Sequence, residues 1–481
     1  MTGKKLGPAP PAGPGPDPRC EPPLRRAGTS ARPIPRTGTR RSLRMPSSGI
    51  VGLNWAQQAW LLGPHDDLRD LTWRHRCELS VPLRVRIDAG RTRTAFERLV
   101  VRFPMLRAVA VSGADGEIAQ TLLPTASAKD LLVFEVEDRN LNDASSAQID
   151  KVAREENRLN IAVVLVQEPS RSTLILKAAH FFLDAYSLTA IASEAVRIIE
   201  SGCASEEAEE DRSHWSILEY EKSPEALRRS ARNIRHLCDI ADEAARLGLA
   251  KPYSLQRESS IGGSCSRRLE VACRTLAAST RASLPAVLLS LFLIVYNRMF
   301  GPEHAWLAVC SANRITPDEL RYVGLQTRHG ALLADVGLAA ETFAEFAGRT
   351  GQSLVHAVQN ARHDPRGLVA EYSARGLPGD PPFFFNYVHG AQPHSPIVAD
   401  PVAGIDALDF PWVSAPSGRF ALELNCFSLS GLAGVNVEHD PGIFPRESMT
   451  ELMNSILRLA ERIADRGTSI RVGELRRGGD A

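Results

Sequence analysis

The chain has 481 residues, of which 43% are hydrophobic, and its formal net charge is +1. This length is enough for two domains of ordinary size. The near-neutral charge gives no electrostatic case for nucleic acid, and no run reaches the roughly 18 apolar residues that a membrane-spanning helix requires. The eight cysteines are scattered and form no C-x-x-C pair. We therefore expect reduced thiols, no metal site and a cytoplasmic location.

Residues 1–46 are rich in Pro, Gly, Arg and Thr and show no hydrophobic periodicity. Such a segment cannot bury enough apolar surface to offset the entropy of ordering it, so we interpret it as a disordered tail. Its paired arginines are not followed by an apolar segment, which argues against a twin-arginine export signal. A basic tail for an acidic partner, a linker and a start codon placed too early remain as interpretations.

Hydrophobic periodicity begins at Ile50 and predicts alternating helices and strands. In the first half, we predict helices at Asn54–Leu62, Thr92–Arg102, Ala144–Asn157 and Tyr186–Ser201, and strands at Leu79–Ile87, Ala108–Val111, Ile161–Gln167 and Ser172–Ala179. The last two strands are joined by a tight turn at residues 168–171. The charged run at residues 206–212 is typical of a linker between two lobes.

The second half continues the alternation. We predict helices at Ala226–Ala245, Ser279–Phe300, within Ala339–His363, and at Met449–Arg466, and strands at Arg267–Glu270, Ala305–Cys310, Pro382–Val388, Leu422–Phe427 and Gly434–His439. The longest apolar stretch, Leu284–Tyr296, is typical of a buried core helix. The order of elements predicts an α/β (α+β) fold, with mixed sheets flanked by helices in two lobes. No repeat of 20–50 residues is present, which excludes a solenoid.

The richest chemistry in the chain lies directly after the predicted strand Ser172–Ala179. His180 leaves the strand end, and Asp184 follows it four residues later, before a helix pattern. Imidazole is the side chain best suited to proton transfer near neutral pH. The aspartate is suited to fixing local backbone or pairing with an arginine. On residue type alone, a histidine in this place is more often structural than functional.

Several segments, taken in order, resemble the condensation domains of nonribosomal peptide synthetases, which belong to the chloramphenicol acetyltransferase-like acyltransferase superfamily. The defining motif of that family reads histidine-histidine-x-x-x-aspartate-glycine. Residues 179–185 resemble it, with His180 and Asp184 in place, Ala179 in the first histidine position and Ala185 in the glycine position. The other matches are Asn54–Trp60 around Gln57, Arg102–Arg107 with Phe103 in a histidine position, Ser311–Arg314 followed by Val323 and Gly324, His363 with Pro365, and Phe384–Tyr387.

The resemblance covers about residues 50–470 and implies two chloramphenicol acetyltransferase-like lobes arranged in a V. We place the N-terminal lobe at residues 47–215 and the C-terminal lobe at residues 216–475. The histidine motif would lie where the lobes meet, in a tunnel that two substrates enter from opposite faces. The implied reaction is attack of an amine or hydroxyl on an acyl thioester, which needs no bound cofactor and no metal because the thioester is already activated.

The resemblance also implies roles for individual residues. His180 would accept the proton of the nucleophile or orient the acceptor. Asp184 would be structural and pair with Arg314 from the other lobe. We predict three further residues that contact substrate, with a helix N-cap role for the serine and a sheet-edge role for the asparagine as alternatives: Ala185, Ser187 and Asn386.

We expect a free-standing acyltransferase of nonribosomal peptide, antibiotic or other specialised metabolite biosynthesis. Its donor would be a phosphopantetheine thioester on an acyl or peptidyl carrier protein in trans, or on CoA, and its acceptor a small-molecule amine or hydroxyl. We expect a monomer that binds neither nucleic acid nor membrane. The substitutions at Ala179 and Ala185 leave an alternative, a catalytically silent module that recruits a carrier protein or a tailoring enzyme. A basic helix face suits an acidic carrier protein, although a solvated face is the simpler interpretation: Arg228, Arg229, Arg232 and Arg235.

Overall fold

The structure is a computed structural model that describes residues 50–62, 76–112, 117–130, 132–137, 159–202, 210–249, 258–337, 339–389, 395–400, 404–416 and 419–477. The predicted tail at residues 1–46, the predicted helix Ala144–Asn157 and most of the 206–212 linker lie outside these residues. Residues Ser48–Ala481 form one compact unit, and the boundary between the two lobes at residues 215 and 216 stays a prediction.

The strands form three sheets. The first has the order β1-β4-β3, the second β2-β7-β6-β5, and the largest β10-β9-β11-β13-β14-β8-β12. Parallel pairing joins β11 to β9 and β13, and β5 to β6, so two sheets are mixed. The strands are β1 (Ile50–Val51), β2 (Arg76–Leu83), β3 (Ala108–Ser112), β4 (Ile118–Leu122), β5 (Val133–Glu137), β6 (Ile161–Gln167), β7 (Ser172–Ala179), β8 (Glu258–Ser266), β9 (His304–Ser311), β10 (Arg328–Asp335), β11 (Phe383–His389), β12 (Ala407–Pro416), β13 (Leu422–Leu429) and β14 (Leu432–His439).

Helices flank these sheets, which confirms the predicted fold class. They are α1 (Trp55–Leu61), α2 (Ala89–Arg102), α3 (Thr125–Asp130), α4 (Ala185–Ser201), α5 (Ser213–Lys222), α6 (Pro224–Arg246), α7 (Arg267–Thr280), α8 (Leu284–Phe300), α9 (Pro317–Arg321), α10 (Phe343–Asn360), α11 (Pro365–Arg375), α12 (Arg446–Arg466) and α13 (Val472–Arg477), with a 3₁₀ helix at Pro104–Arg107. The predicted elements from Asn54 to Ser201 that the structure describes are present. The predicted strand Leu79–Ile87 begins and ends a few residues earlier than expected.

Two predicted elements in the second half are wrong. The strand predicted at Arg267–Glu270 is the first turn of α7, because the Ser266 side chain caps that helix by accepting from the backbone N–H of Leu269 at 3.1 Å. The single helix predicted at Ser279–Phe300 is the end of α7 followed by α8. Ser283 caps α8, and a proline in its first turn begins the new helix instead of continuing the old one.

The largest sheet has an apolar face and a more polar face. The apolar face packs against α7, α8, α10 and α12, and its core includes Leu307, Phe385, Leu424 and Val435. Side chains alternate between faces along a strand, so the residues between these point the other way. His329, Phe384 and Asn386 therefore lie on the opposite face, and the histidine loop is built near its β10 side.

No single described helix is long and apolar enough to cross a membrane. Helices α7 and α8 reach the necessary length and composition only as a pair, and that pair is bent by 104°. The apolar residues of α8 are instead buried in the core of the C-terminal half. The cysteines within the described segments are free thiols.

Candidate active site

The histidine loop joins β7 to α4 and is fixed by backbone hydrogen bonds. Ala179, the last residue of β7, is fully buried. Its carbonyl accepts from the N–H groups of Phe182 at 3.0 Å and Leu183 at 3.2 Å, and its own N–H donates to the carbonyl of Asn160 at 2.9 Å. The loop therefore keeps its turn with a methyl group where the family motif has its first histidine.

Asp184 ends the loop and begins helix α4. It has extended backbone and acts as the N-cap, since its carboxylate accepts from the Ser187 N–H at 3.0 Å. The same carboxylate accepts from the Gln326 N–H at 3.1 Å and the Thr327 hydroxyl at 3.1 Å. Asp184 thus joins the histidine loop to a segment more than 140 positions later in the chain.

Arg314 makes a two-pronged contact with this carboxylate. Its Nη1 lies 2.8 Å from Asp184 Oδ2 and its Nη2 lies 3.0 Å from Oδ1. The exposed fractions of the two side chains are 1% and 2%. Burial by itself raises the pKa of Asp184, but the Arg314 guanidinium and the N–H donors of Ser187 and Gln326 outweigh it, and the pKa is lowered. The pair is a charge-assisted, buried bridge of the strong kind.

Ser187 is hydrogen-bonded to both residues of the Asp184–Arg314 pair, whereas Ala185 lies at the surface. The Ser187 side chain is fully buried. Its hydroxyl is 2.8 Å from Asp184 Oδ1 and 2.9 Å from the Gly324 carbonyl, and it accepts from the Gly324 N–H at 3.0 Å. Ala185 is exposed at the first position of α4. The hydrogen bonds of the Ser187 hydroxyl are therefore all made within the protein, whereas Ala185 is accessible from outside.

His180 is half-buried beside Trp60 of helix α1. The two ring centroids are 4.9 Å apart and the planes are tilted by 41°. Nδ1 is buried and makes no hydrogen bond of normal geometry with a described residue. Burial lowers the pKa of His180, while backbone groups of the loop and the nearby Asp184 carboxylate act in the opposite sense. The imidazole is therefore neutral near pH 7, which is the form that accepts a proton.

Helix α1 is tied to the histidine loop by a glutamine of the first matched motif. The side chain of Gln57 bonds Gln120 at 2.9 Å and reaches the Phe181 carbonyl at 3.5 Å. A capping box with Asn54 fixes the start of the helix. The side-chain amide of Asn54 also donates to the carbonyl of Leu325 at 2.8 Å, and the Leu325 N–H donates to the Phe182 carbonyl at 2.8 Å. Helix α1 and the residues after Arg314 are thus both hydrogen-bonded to the histidine loop.

A second histidine, His329 on β10, was missed by the sequence reasoning. Its ring is 5.0 Å from that of Phe384. Burial lowers the pKa of His329 to about 3, with smaller contributions from Arg419, Arg328 and the neighbouring His180. It is a second neutral imidazole near the first. The only signal in the sequence was a histidine in a strand just beyond the matched Val323 and Gly324.

Two thiols near the loop are not nucleophiles. Burial raises the pKa of Cys310 to about 12 and also raises the pKa of Cys77, and in both the Asp184 carboxylate adds to the effect. Both remain protonated at neutral pH, and a protonated buried thiol is inert. Within the described segments, no group of three or more His, Cys, Asp or Glu residues is placed to hold a metal ion.

Asn386 lies apart from the Asp184 network. It is on β11, half-buried, and its amide donates to the side-chain oxygen of Asn425 at 3.1 Å. Asn425 in turn faces Asn436 across β13 and β14. The structure thus brings His180, Asp184, Ser187 and Arg314 together and places Asn386 in a separate row of amides on the polar face of the large sheet.

The comparisons with known proteins identify the family of the chain. The sequence profile described as "Condensation domain" matches residues 68–471. The chain belongs to the condensation domain family. No curated protein matches the sequence.

Solved condensation domains have the same fold at low sequence identity. The first condensation domain of the calcium-dependent antibiotic synthetase, in complex with a substrate analogue, is 16% identical with a TM-score of 0.66, over 89% of this chain and 99% of that one. A condensation domain of the enacyloxin polyketide synthase that mediates chain release is 17% identical, with a TM-score of 0.62 over 89% and 85%. The epimerization domain from the third module of tyrocidine synthetase B is 14% identical, with a TM-score of 0.64 over 87% and 98%.

Proposed function

We propose that this condensation domain is an acyltransferase that moves an acyl group from a phosphopantetheine thioester to an amine or a hydroxyl. The donor is carried by an acyl or peptidyl carrier protein in trans or by CoA, and the product belongs to nonribosomal peptide or antibiotic biosynthesis. The observation that carries the proposal is His180, a half-buried and neutral imidazole in a loop that Asp184 and Arg314 hold rigidly. Family membership supports the reaction class.

The reaction balances without any further reagent. The amine nitrogen or hydroxyl oxygen attacks the thioester carbonyl, and its proton passes to Nε2 of His180. We assign Nε2 because Nδ1 is enclosed. The tetrahedral intermediate then expels the thiolate, the C–S bond breaks, and the imidazolium returns the proton to sulfur. The protein supplies positioning and a proton acceptor, and no covalent intermediate is required because the thioester is already activated.

The remaining site residues support this chemistry in different ways. Asp184, Arg314 and Ser187 hold the loop and are assigned to positioning. Ala185 is exposed at the start of α4 and Asn386 is half-buried on the polar sheet face, so both keep a role as candidates for substrate contact. A methyl group at Ala185 narrows the approach to the loop relative to a glycine but adds no charge.

The test is a comparison of His180→Ala with the unchanged protein. We expect the rate of acyl transfer from an acyl-pantetheine thioester to fall at least ~100-fold if His180 is the general base. Mass spectrometry of the acylated product measures the rate, and circular dichroism checks the fold. His304→Ala is the matched control, since that histidine is partly exposed on β9 and its contact with Asp335 is long, at 3.9 Å.

Two outcomes contradict the proposal. The first is an unchanged rate in His180→Ala, which would show that His180 takes no part in catalysis. The second outcome is that the unchanged protein shows no turnover with any thioester donor but binds a carrier protein or a tailoring enzyme tightly. The protein would then be a catalytically silent recruiting module and not an acyltransferase.

A further inference from the structure

Helix α6 carries its charges in two separate blocks. Its first half, residues 224–235, has four arginines against one glutamate, whereas residues 236–246 have three acidic residues and one arginine. The whole chain has a net charge of only +1, so the basic half of α6 is a local feature. We name it the arginine face, and it consists of Arg228, Arg229, Arg232 and Arg235.

The described part of the fold makes no polar contact with the arginine face. None of its four side chains makes a hydrogen bond or ion pair with any other residue that the structure describes, and Arg228, Arg232 and Arg235 are exposed. The acidic block of the same helix is different. Arg375 of helix α11 lies 3.8 Å from Asp239 and 3.8 Å from Asp242. The acidic block is therefore neutralised internally, whereas no acidic group among the described residues pairs with the basic block.

The spacing aligns three of the four arginines along one side of the helix. Positions 228, 232 and 235 are i, i+4 and i+7, so they lie on one face and span about 10 Å along the axis at roughly 1.5 Å per residue. Like charges at this spacing destabilise an isolated helix. Leu227, which is 50% exposed, and the exposed Ala231 add a narrow apolar strip beside them. A row of like charges next to exposed apolar groups has the composition of a binding surface.

The type of basic residue indicates which class of partner this face binds. All four positions hold arginine and none holds lysine. Arginine binds carboxylates with two parallel hydrogen bonds and is the basic residue enriched in protein interfaces. Three such groups in a row, with Arg229 beside them, fit acidic side chains repeated along a helix of another protein. We propose that the arginine face docks an acidic carrier protein, the one that delivers the thioester donor or acceptor, and this inference rests on the proposed acyl transfer.

The surface lies on elements that lead to the histidine loop. Helix α6 packs against α5, and Glu221 of α5 accepts from the N–H of Trp55 at the start of α1 at 2.8 Å. Trp60 of the same helix contacts His180. A protein bound to α6 is therefore attached to the framework that holds the proton acceptor.

The test separates docking from chemistry. The double variant Arg228→Glu, Arg232→Glu is compared with the unchanged protein, using one acyl group on an acidic acyl carrier protein and the same acyl group on free pantetheine. We expect kcat/KM with the carrier-bound donor to fall at least ~30-fold, mainly through KM, and the rate with the pantetheine donor to stay within ~2-fold. The control, Arg298→Glu, Arg471→Glu, changes the net charge equally at two exposed arginines that form no ion pair with a described residue.

The second measurement is the affinity of the carrier protein for the His180→Ala variant with and without the arginine-face changes, by calorimetry at two salt concentrations. This affinity is informative even if no acyl transfer occurs, so failure of the docking proposal and failure of the proposed function are distinguishable. Salt-sensitive binding that Arg228→Glu, Arg232→Glu abolishes supports the proposal. Unchanged carrier kinetics and affinity, equal losses with both donors, or binding of duplex DNA in place of the carrier overturns it.

Discussion

At the residue scale, enclosure keeps His180 neutral. Burial is the largest influence on its pKa and lowers it, while backbone groups of the loop and the carboxylate of Asp184 act in the opposite sense. Arg314 holds that carboxylate in a bidentate ion pair, so its charge is largely compensated. A base with a lowered pKa stays unprotonated at acidity that would protonate a free histidine. We therefore expect the acid limb of kcat/KM to lie below pH 6.5, the ordinary pKa of histidine.

Trp60 is the residue that tests this account. Its ring covers His180 with a centroid distance of 4.9 Å, so Trp60→Ala admits water and removes part of the desolvation. The pKa of His180 then rises towards its ordinary value, and the acid limb of kcat/KM moves to higher pH. A pH–rate profile of both proteins with a pantetheine thioester measures the shift. An acid limb at the same pH in Trp60→Ala would show that burial does not control this group.

The Asp184–Arg314 bridge is tested by a double-mutant cycle. Asp184→Asn leaves a buried guanidinium without its counter-charge, and Arg314→Met leaves a buried carboxylate. Each should lower the free energy of unfolding by about 3–5 kcal/mol. The double variant should cost less than the sum of the two, because neither charge is then left alone. Urea unfolding of the four proteins gives the coupling energy, and strictly additive losses would contradict a direct interaction.

The sequence indicated some residues of this site and concealed others. His180, Asp184 and Arg314 have side chains whose type and motif position point to them. Half of the contacts that complete the Asp184 network come from backbone, as at Gln326, where the donor is an N–H that every residue except proline possesses. His329 lies near His180 because β10 pairs with β9, and the order of strands in a sheet cannot be predicted from local sequence patterns.

At the element scale, the same limit explains where the predictions were wrong. Periodicity located the apolar interior of α8 correctly, but the boundary between α7 and α8 is set by the Ser283 cap and the left-handed Arg281, with φ of 56°. A short stretch such as Arg267–Glu270 is compatible with strand or helix until its cap is known. Caps and turns of one or two residues decide element ends, and their sequence signals are weak.

Packing of strand β10 against helix α10 depends on one glycine. A Cβ added at Gly330 would lie 1.9 Å from the carbonyl oxygen of Ala357, a backbone atom that cannot move aside. Gly330→Ala should therefore destabilise the protein by about 1–3 kcal/mol or more. Gly348→Ala is the control within α10, where the new methyl meets nothing within 4 Å, and it should stabilise by about 0.5–1 kcal/mol. Equal effects in thermal unfolding would contradict the close approach.

At the scale of the whole molecule, helix α1 joins the two halves of the chain through buried polar groups. The Trp55 N–H donates to Glu221 of α5 at 2.8 Å, and the Trp55 carbonyl accepts from Arg328 of β10 at 2.6 Å. Glu221 is 6% exposed and Arg328 is 7% exposed. Contacts of this kind make the arrangement of α1, α5 and β10 sensitive to the charge of one carboxyl group.

Glu221 makes the stability of the molecule depend on pH. Burial raises its pKa from 4.5 to about 7, although the Trp55 N–H and the positive charges of Arg328 and Arg362 oppose that effect. The folded state therefore binds the proton more tightly than the unfolded state. Its contribution to stability is fully present below pH 4.5 and is lost as the pH rises to 7, a change of about 3 kcal/mol at roughly 1.36 kcal/mol per pH unit.

Glu221→Gln removes this titration and keeps the hydrogen bond, because the amide oxygen still accepts from the Trp55 N–H. The difference in unfolding free energy between the unchanged protein and Glu221→Gln should shift by about 3 kcal/mol between pH 4.5 and pH 7.5, with the variant gaining relative stability at the higher pH. Urea unfolding at constant ionic strength measures it. Parallel stability curves for the two proteins would show that Glu221 titrates alike in the folded and unfolded chain. The charge of this carboxyl group would then have no influence on how α1, α5 and β10 are held together.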